Sequence, residues 1–126
     1  MDKKIVLADT GVLIKLYHGH KQIAKILDEI GYEGLVVSAI TVAEIYQGMK
    51  NQEKKETLAL LKKFNTIHFD TKISFRFIGL KLRFKDRLSI PDAIIAATSL
   101  VYKLPLFTFN VKDFGYIPGL IIYKLR

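Results

Sequence analysis

The sequence predicts an α/β fold in which helices cover both faces of a mostly parallel sheet. Segments typical of strands and segments typical of helices alternate along the chain. The strand-like segments are continuous apolar runs rather than alternating apolar and polar residues. Such runs are typical of strands buried on both faces, which occur in parallel sheets between two layers of helices.

The individual elements follow from apolar spacing and from helix start and stop signals. Strands are predicted at 4–10, 34–39, 66–70, 104–109 and 119–125. Helices or helical turns are predicted at 11–19, 21–31, 51–64, 89–103 and 110–115, and another helix opens at Thr41. Ile23, Ile26, Leu27 and Ile30 have helical spacing, and Gly31 follows them as a stop. His68 falls on the predicted strand 66–70.

The segment 71–88 fits two patterns. Leu80 to Lys85 alternates apolar and basic residues, as a half-exposed strand would. Over a longer stretch, apolar residues recur every three or four positions, at Ile73, Phe77, Leu80, Phe84 and Leu88. The longer match predicts a helix, although Gly79 inside it weakens the pattern.

The length and composition of the chain exclude several kinds of protein and of functional site. A chain of 126 residues is expected to form one domain, 1–126, with a core that needs no disulfide. It has no cysteine, which excludes disulfide scaffolds, thiolate zinc sites and cysteine nucleophiles, and suits a reducing compartment such as the cytoplasm. Asp9 interrupts the apolar N-terminal run, which is therefore interpreted as mature sequence. No stretch approaches the roughly 20 apolar residues of a membrane span.

The net charge is +8, from 20 basic and 12 acidic residues. Such an excess favours polyanionic partners: nucleic acid, an anionic membrane or an acidic protein. Against this background, Asp9, Glu44 and Asp92 stand among apolar or small residues, and Asp113 follows the strand 104–109. These four acids are the candidate site.

Helix capping is the simple alternative for each acid. Thr41 and Glu44 match a capping box, with Thr41 as N-cap, and Ser89 and Asp92 match the same pattern. Asp9 is placed to cap the helix that follows it. However, Asp9 and Asp113 follow strands whose carboxyl ends share one edge of a parallel sheet, where ligands bind in such folds.

Carboxylates that meet in one pocket repel one another and lose hydration, which protonation or a divalent cation would relieve. Mg²⁺ and Mn²⁺ prefer carboxylate and water ligands. No cysteine or histidine cluster competes for this role, since His18 and His20 flank a glycine and are expected to be exposed. A basic protein with an acidic metal pocket suggests phosphodiester chemistry. The candidate phosphate contacts are Lys15, Arg76, Lys81, Arg83, Lys85, Arg87 and Lys112.

Four ordered motifs resemble those of PIN-domain ribonucleases, and most closely the VapC-type toxins of toxin–antitoxin modules. They are VLADTGVLI, SAITVAEIYQGM, SIPDAIIAATSL and LPLFTFNVKDFGYIPGL, and together they span Ile5 to Leu120. The resemblance implies a three-layer α/β/α fold, endoribonuclease activity that depends on Mg²⁺ or Mn²⁺, a homodimer and a cognate antitoxin protein. It implies a cytoplasmic location and no membrane partner.

By position, the resemblance makes Asp9, Glu44 and Asp92 catalytic metal ligands. It makes Thr10 and Thr108 polar residues beside the metal. The fourth ligand is either Asp113 or Asn110, because some members have Asp where this chain has Asn110 and others have an acid three residues later. Phe109 stands where many members carry arginine, which puts a phosphate contact from that position in doubt.

The expected reaction is attack on phosphorus by a metal-bound water, with the metal stabilising the departing oxygen. RNA would be bound as a single strand, with Lys15, Arg83, Arg87 and Lys112 on its backbone. Tyr17, Tyr46 and Phe109 are candidates for base stacking, with packing as the simpler role. The antitoxin would lie across the groove to the acids, between helices at Gln22–Ile30 and Glu53–Phe64. The alternatives are an RNA-binding module without cleavage and a nuclease for another phosphodiester.

Overall fold

The computed structural model describes residues 4–19 and 22–126, apart from the side chain of residue 23. Four parallel strands form one sheet in the order β3-β2-β1-β4. They are β1 (Val6–Ala8), β2 (Leu35–Ser38), β3 (Asn65–Ile67) and β4 (Leu106–Phe107). In the register, Leu7 pairs with Val36 on one side and with Leu106 on the other. The predicted α/β class with a parallel sheet is confirmed.

Seven α-helices connect the strands within the described residues. They are α1 (Thr10–Tyr17), α2 (Ile23–Glu29), α3 (Gly31–Gly34), α4 (Ala39–Gly48), α5 (Lys54–Leu61), α6 (Thr71–Phe84) and α7 (Ile90–Tyr102). Short 3₁₀ turns lie at Asn51–Glu53, Lys85–Arg87 and Val111–Asp113. The choice of helix for the ambiguous segment is therefore correct. The alternation of Leu80 to Lys85 does not mark an edge strand, because these residues end α6, with Leu80 buried and Leu82 75% exposed.

Two apolar layers cover the two faces of the sheet, because successive strand residues point to opposite sides. Leu7 and Leu106 point to one layer, formed with α6 and α7 and including Ile73 and Ile95. Val6 and Ala8 point to the other layer, which α1, α2 and Phe64 complete. The result is the expected α/β/α arrangement.

Several predicted boundaries are wrong. The strand predicted at 119–125 is a single bridge between Ile122 and Leu106. Both backbone groups of Leu106 in β4 are still hydrogen-bonded. Its N–H donates to the Ile121 carbonyl, and its carbonyl accepts from the Tyr123 N–H. His68 lies just after β3 and is exposed. The short helix α3 was not predicted, since it follows the glycine taken as a stop.

Two further predictions concern the exposure of His18 and His20 and whether a helix could span a membrane. His18 is exposed as expected, whereas His20 lies outside the described residues. Within the described ranges, every helix is too short or too polar to cross a bilayer.

Candidate active site

Asp9 forms the centre of the site, directly after β1. Its side chain is only 6% exposed. One carboxylate oxygen accepts a hydrogen bond from the Thr10 backbone N–H at 2.8 Å, which makes Asp9 the N-cap of α1. The other accepts from the Thr108 hydroxyl at 2.8 Å. The capping role predicted for Asp9 is therefore confirmed, and capping uses only one of its two oxygens.

Glu44 reaches the same place from α4. The Thr10 hydroxyl donates to Glu44 Oε1 at 2.8 Å and lies 3.0 Å from the hydroxyl of Thr41, which is fully buried. A hydroxyl carries one proton, so when Thr10 donates to Glu44 the Thr41 hydroxyl donates to Thr10. The chain of hydrogen bonds joins the end of β1 to the second turn of α4.

The predicted capping box at Thr41 is wrong. Ser38 is the N-cap of α4, and its hydroxyl accepts from the Ile40 N–H at 3.3 Å. Ser38 also ends β2, so the chain passes from strand to helix without a loop. Thr41 is therefore the third residue of the helix, and Glu44 lies a turn too late to cap it. Glu44 has no capping role that would explain its position.

Asp92 is placed by the first turn of α7. The N-cap Ser89 accepts from the Asp92 backbone N–H at 3.2 Å, and Pro91 occupies the first turn, as the sequence predicts. The Asp92 carboxylate is half-buried. Burial, together with the charges of Asp9, Asp113 and Glu44, raises the pKa of Asp92 to about 6, although the Ser89 hydrogen bond opposes the shift.

Asp113 and Asn110 both lie beyond β4, and both are exposed. Asp113 ends the 3₁₀ turn Val111–Asp113, and its charge raises the pKa of Asp9 and of Asp92. Asn110 takes part through its backbone, whose N–H donates to the Thr108 hydroxyl at 3.0 Å. That hydroxyl is the same one that donates to Asp9, so Asn110 helps to orient it.

Burial and mutual repulsion both disfavour the charged forms of the acids in the pocket. Burial raises the pKa of Asp9, and the charges of Glu44 and Asp113 raise it further. The hydrogen bonds from Thr108 and Thr10 lower it and oppose this effect. For Asp92, too, the neighbouring charges that matter are carboxylates. Positive charge supplied from outside the chain would relieve this repulsion.

The donor set fits a hard divalent cation in its chemistry. Carboxylate and hydroxyl oxygens are the ligands that Mg²⁺ and Mn²⁺ prefer. Within residues 4–19 and 22–126, no three histidine or acidic side chains form a ready-made metal-binding group. Mg²⁺ needs no such group, because it is usually bound by one or two carboxylates and keeps several waters. The metal-ligand roles therefore stay predictions.

The predicted phosphate contacts have different surroundings. Lys15 Nζ lies over the ring of Phe109, 4.3 Å from its centroid. Arg87 stacks on Tyr116 at 3.7 Å, and Arg83 lies over Phe84 at 5.1 Å. The ammonium group of Lys81 donates to two backbone carbonyls after α6, so this residue has a structural role. The remaining candidates, Arg76, Lys85 and Lys112, are exposed.

A cleft of about 170 Å³ leads away from Glu44 between α1, α4 and α5. Its lining is largely apolar: Leu13, Ile14, Tyr17, Ile45, Met49, Leu60 and Leu61. Glu53 and Thr57 also line it, so the helix predicted at Glu53–Phe64 does form a wall. The helix predicted at Gln22–Ile30 does not. Ile14 and Ile45 line this cleft and were not predicted as site residues.

The aromatic residues considered for base stacking have different surroundings. Tyr46 is exposed, whereas the hydroxyl of Tyr17 donates to Glu56 at 3.3 Å. The ring of Phe109 packs edge-on against Phe107, with their centroids 5.3 Å apart. Packing therefore explains the position of the Phe109 ring. The exposed ring of Tyr46 remains a candidate for base stacking.

Comparison with known proteins places this geometry in a family. The PIN domain family matches residues 6–119. Ribonuclease VapC1 of Methanocaldococcus jannaschii is 30% identical over 124 residues, which cover 94% of this chain and 86% of that protein. A toxin–antitoxin complex from Klebsiella pneumoniae contains a chain 36% identical, with TM-score 0.76, covering 94% of this chain and 98% of that one. DNA-bound VapBC from Salmonella typhimurium has TM-score 0.81 at 20% identity, covering 98% and 99%, and so shows a shared fold.

Proposed function

Because this chain belongs to the PIN domain family, we propose that it is an endoribonuclease dependent on Mg²⁺ or Mn²⁺, the toxin of a VapC-type toxin–antitoxin pair. The observation that carries this proposal is the buried carboxylate of Asp9, held by Thr10 and Thr108 beside the acids Glu44 and Asp92. The ribonuclease name of the Methanocaldococcus jannaschii relative supports it.

The residues of the chain position the cation and the substrate. When bound, Mg²⁺ or Mn²⁺ polarises a phosphoryl oxygen, lowers the pKa of a bound water and offsets charge on the leaving oxygen. Asp9 and Asp92 are the proposed direct ligands. Thr10 and Thr108 fix the rotamers of Glu44 and Asp9 through their hydroxyl groups.

We assign the fourth acidic position to Asp113 rather than to Asn110. The charge of Asp113 affects the pKa of both Asp9 and Asp92, so this acid lies near both of them. The backbone of Asn110 is engaged in orienting Thr108, which gives Asn110 a supporting role.

RNA is the proposed substrate, and the net charge of +8 supports binding of a polyanion. Lys15 lies in the last turn of α1, the helix that Asp9 caps, and its ammonium group lies over the Phe109 ring. A single strand is expected, because A-form helices hide their base edges. Arg83, Arg87 and Lys112 stay predictions as backbone contacts.

The apolar cleft beside Glu44 is the proposed place for the antitoxin. The similar chain from Klebsiella pneumoniae comes from a toxin–antitoxin complex. Because Glu44 lines the cleft, a protein segment bound there would contact one of the candidate acids. The homodimer, the single domain and the cytoplasmic location remain part of the proposal.

Cleavage of single-stranded RNA tests the proposal directly. Wild type, Asp9→Asn and Asp86→Asn are compared with Mg²⁺, Mn²⁺ or EDTA. Asparagine keeps a side-chain oxygen for the N-cap, so Asp9→Asn should fold and lose activity by about 100-fold or more. Asp86 lies on an exposed turn and is the matched control. RNA binding without cleavage, unchanged by Asp9→Asn, would mean a binding module, and cutting of DNA alone would mean another nuclease.

Thermal unfolding provides a test of the metal that needs no substrate. Mg²⁺ or Mn²⁺ should raise the Tm of the wild type more at pH 7.5 than at pH 5, because protons compete with the metal for the carboxylates. Asp9→Asn should reduce this rise. An equal response of both proteins at both pH values would contradict the assigned ligands.

A further inference from the structure

Arg87 and Tyr116 form a stacked pair beside the acidic pocket. Arg87 ends the 3₁₀ turn Lys85–Arg87, two residues before the N-cap of α7. Tyr116 lies three residues after Asp113. The guanidinium carbon of Arg87 lies 3.7 Å from the centroid of the Tyr116 ring. The pair therefore joins the segment before α7 to the segment after β4, and these two parts of the chain carry Asp92 and Asp113.

The Tyr116 ring is itself held in place. It packs against the apolar core on the α6 and α7 side of the sheet, and it meets the ring of Phe84 edge-on, with their centroids 5.0 Å apart. Its hydroxyl donates a hydrogen bond of 3.3 Å to the Arg87 carbonyl. A ring fixed in this way attracts the guanidinium to its face. The side chain of Arg87 therefore has a defined direction, although the residue is exposed.

Stacking leaves the hydrogen-bond donors of the Arg87 guanidinium available. All five N–H donors of a guanidinium lie in its plane, whereas contact with a ring uses its face. The planar fork of donors matches the oxygens of a phosphate and can bind two of them at once. Lys81, by contrast, uses its ammonium group on two backbone carbonyls. Arg87 is thus oriented for an anionic ligand by a contact that does not neutralise it.

Electrostatic effects place this pair relative to the acids. Burial raises the pKa of the Tyr116 hydroxyl, the charge of Arg87 lowers it, and the charges of Asp92 and Asp113 raise it further. The Tyr116 ring is therefore within electrostatic reach of the guanidinium and of two proposed metal ligands. For Asp92, the neighbouring charges that shift the pKa are those of carboxylates. Arg87 therefore lies at the rim of the pocket, beyond the ring, rather than among the acids.

We propose that Arg87 binds the RNA phosphate next to the one that reacts, and that Tyr116 is the positioning residue that orients the guanidinium. This inference rests on the proposed nuclease function, to which it adds a specific substrate contact. A cation among the acids would take the place proposed for the metal ion, whereas a cation at the rim attracts the RNA and leaves that place free. Contacts to phosphates fix the register of a nucleic acid. The effect of Arg87 should therefore fall on binding rather than on the chemical step.

Steady-state kinetics test the contact. Arg87→Ala should raise KM for single-stranded RNA by about tenfold and change kcat by less than about twofold, because one charge-assisted contact is lost. Arg87→Lys keeps the charge without the fork and should restore KM only in part. Lys63→Ala is the matched control, since Lys63 lies over the Tyr32 ring at 4.6 Å and both residues precede strands, at the opposite edge of the sheet from the acids. Equal KM values for Arg87→Ala and Lys63→Ala, or a fall in kcat alone, would overturn the proposal.

Binding in EDTA measures the same contact without cleavage. The association constant of single-stranded RNA should fall with rising NaCl, and in Arg87→Ala the slope of the double-logarithmic plot should be smaller by about 0.7, the value for one phosphate. Lys63→Ala removes the same charge and should leave the slope unchanged. An unchanged slope for Arg87→Ala would show that this residue contacts no phosphate.

Substitution of Tyr116 distinguishes positioning from a merely structural role. Tyr116→Phe keeps the ring and should behave like wild type. Tyr116→Leu keeps an apolar side chain against Phe84 but loses the ring, so KM should rise several-fold. Combined with Arg87→Ala, Tyr116→Leu should add little, because the two residues act as a unit. Circular dichroism and Tm check that each variant is folded. Additive effects in the double variant, or an equal rise in KM for Tyr116→Phe and Tyr116→Leu, would contradict the positioning role.

The phosphate contact and the nuclease can fail separately. A chain that cleaves RNA with the same KM in wild type and Arg87→Ala would overturn the contact and leave the nuclease assignment intact. A chain that binds RNA with the expected loss of slope in Arg87→Ala, but cleaves nothing, would support the contact and overturn the nuclease assignment.

Discussion

Replacement of Asp92 by asparagine is expected to stabilise the metal-free protein at neutral pH. Burial and the charges of Asp9, Asp113 and Glu44 raise the pKa of Asp92 from 3.8 to about 6. The folded protein therefore binds more protons than the unfolded chain between about pH 4 and pH 6, and this group's contribution to stability falls as the pH rises through that window. Asparagine has nearly the same shape and no charge, so Asp92→Asn should remove this loss of stability at higher pH.

The size of the effect follows from the same values. One pKa unit corresponds to about 1.4 kcal/mol, which sets an upper limit of about 3 kcal/mol. Asp92 is half-buried, and solvent screening reduces the cost of its charge to about 1–2 kcal/mol. Against this, the N-terminus of α7 favours a negative charge by about 0.3–1 kcal/mol, which asparagine loses. The net gain is about 1 kcal/mol at pH 7.5, or a Tm higher by about 3–5 °C.

Thermal unfolding in EDTA at pH 7.5 and pH 4 measures this effect. At pH 4 Asp92 is protonated in the folded protein, so Asp92→Asn should leave the Tm nearly unchanged. Asp86→Asn, on an exposed turn, should change the Tm little at either pH. A loss of stability with Asp92→Asn of similar size at both pH values would refute the reasoning, because it would show that the packing of this side chain outweighs its charge.

Two other substitutions test the supports of the site and of the sheet. Thr108→Val removes the hydroxyl that donates to a buried carboxylate and should cost about 1.5–3 kcal/mol by thermal or urea unfolding, with Thr66→Val on β3 as the near-neutral control. Gly34→Ala would place a Cβ 2.6 Å from the Lys4 carbonyl and should cost about 1–3 kcal/mol, whereas Gly48→Ala meets nothing within 4 Å and should be neutral or slightly stabilising. If a substitution and its control lowered the free energy of unfolding equally, the assigned contacts would be contradicted.

The fold class could be predicted because each level of the sequence agrees with it. Branched apolar runs mark strands buried on both faces, and the apolar spacing of α6 extends over more residues than the competing alternation. The boundaries were less predictable where tertiary pairing decides them. The segment at Ile122 has the composition of a strand but pairs at only one position, because the chain leaves β4 immediately afterwards. Local composition contains no information on that path.

The acids of the site could be identified for a different reason. A carboxylate among apolar residues is costly, so its position in the sequence is itself a signal. The contacts that orient the acids could not be predicted from local sequence patterns, since they join distant parts of the chain. Thr41 was assigned to a cap because its spacing from Glu44 fits a local motif. The structure uses Ser38 as the cap and places Thr41 against Thr10 instead.

The pairing of the first strand with the last one has a consequence for synthesis of the protein. Asp9 leaves the ribosome 99 residues before its partner Thr108, and its neighbour Asp113 follows later still. A growing chain cannot complete the pocket before β4 has emerged and docked beside β1. The proposed toxin would therefore stay inactive until β4 has been synthesised and has docked, and the proposed antitoxin would have that interval to bind.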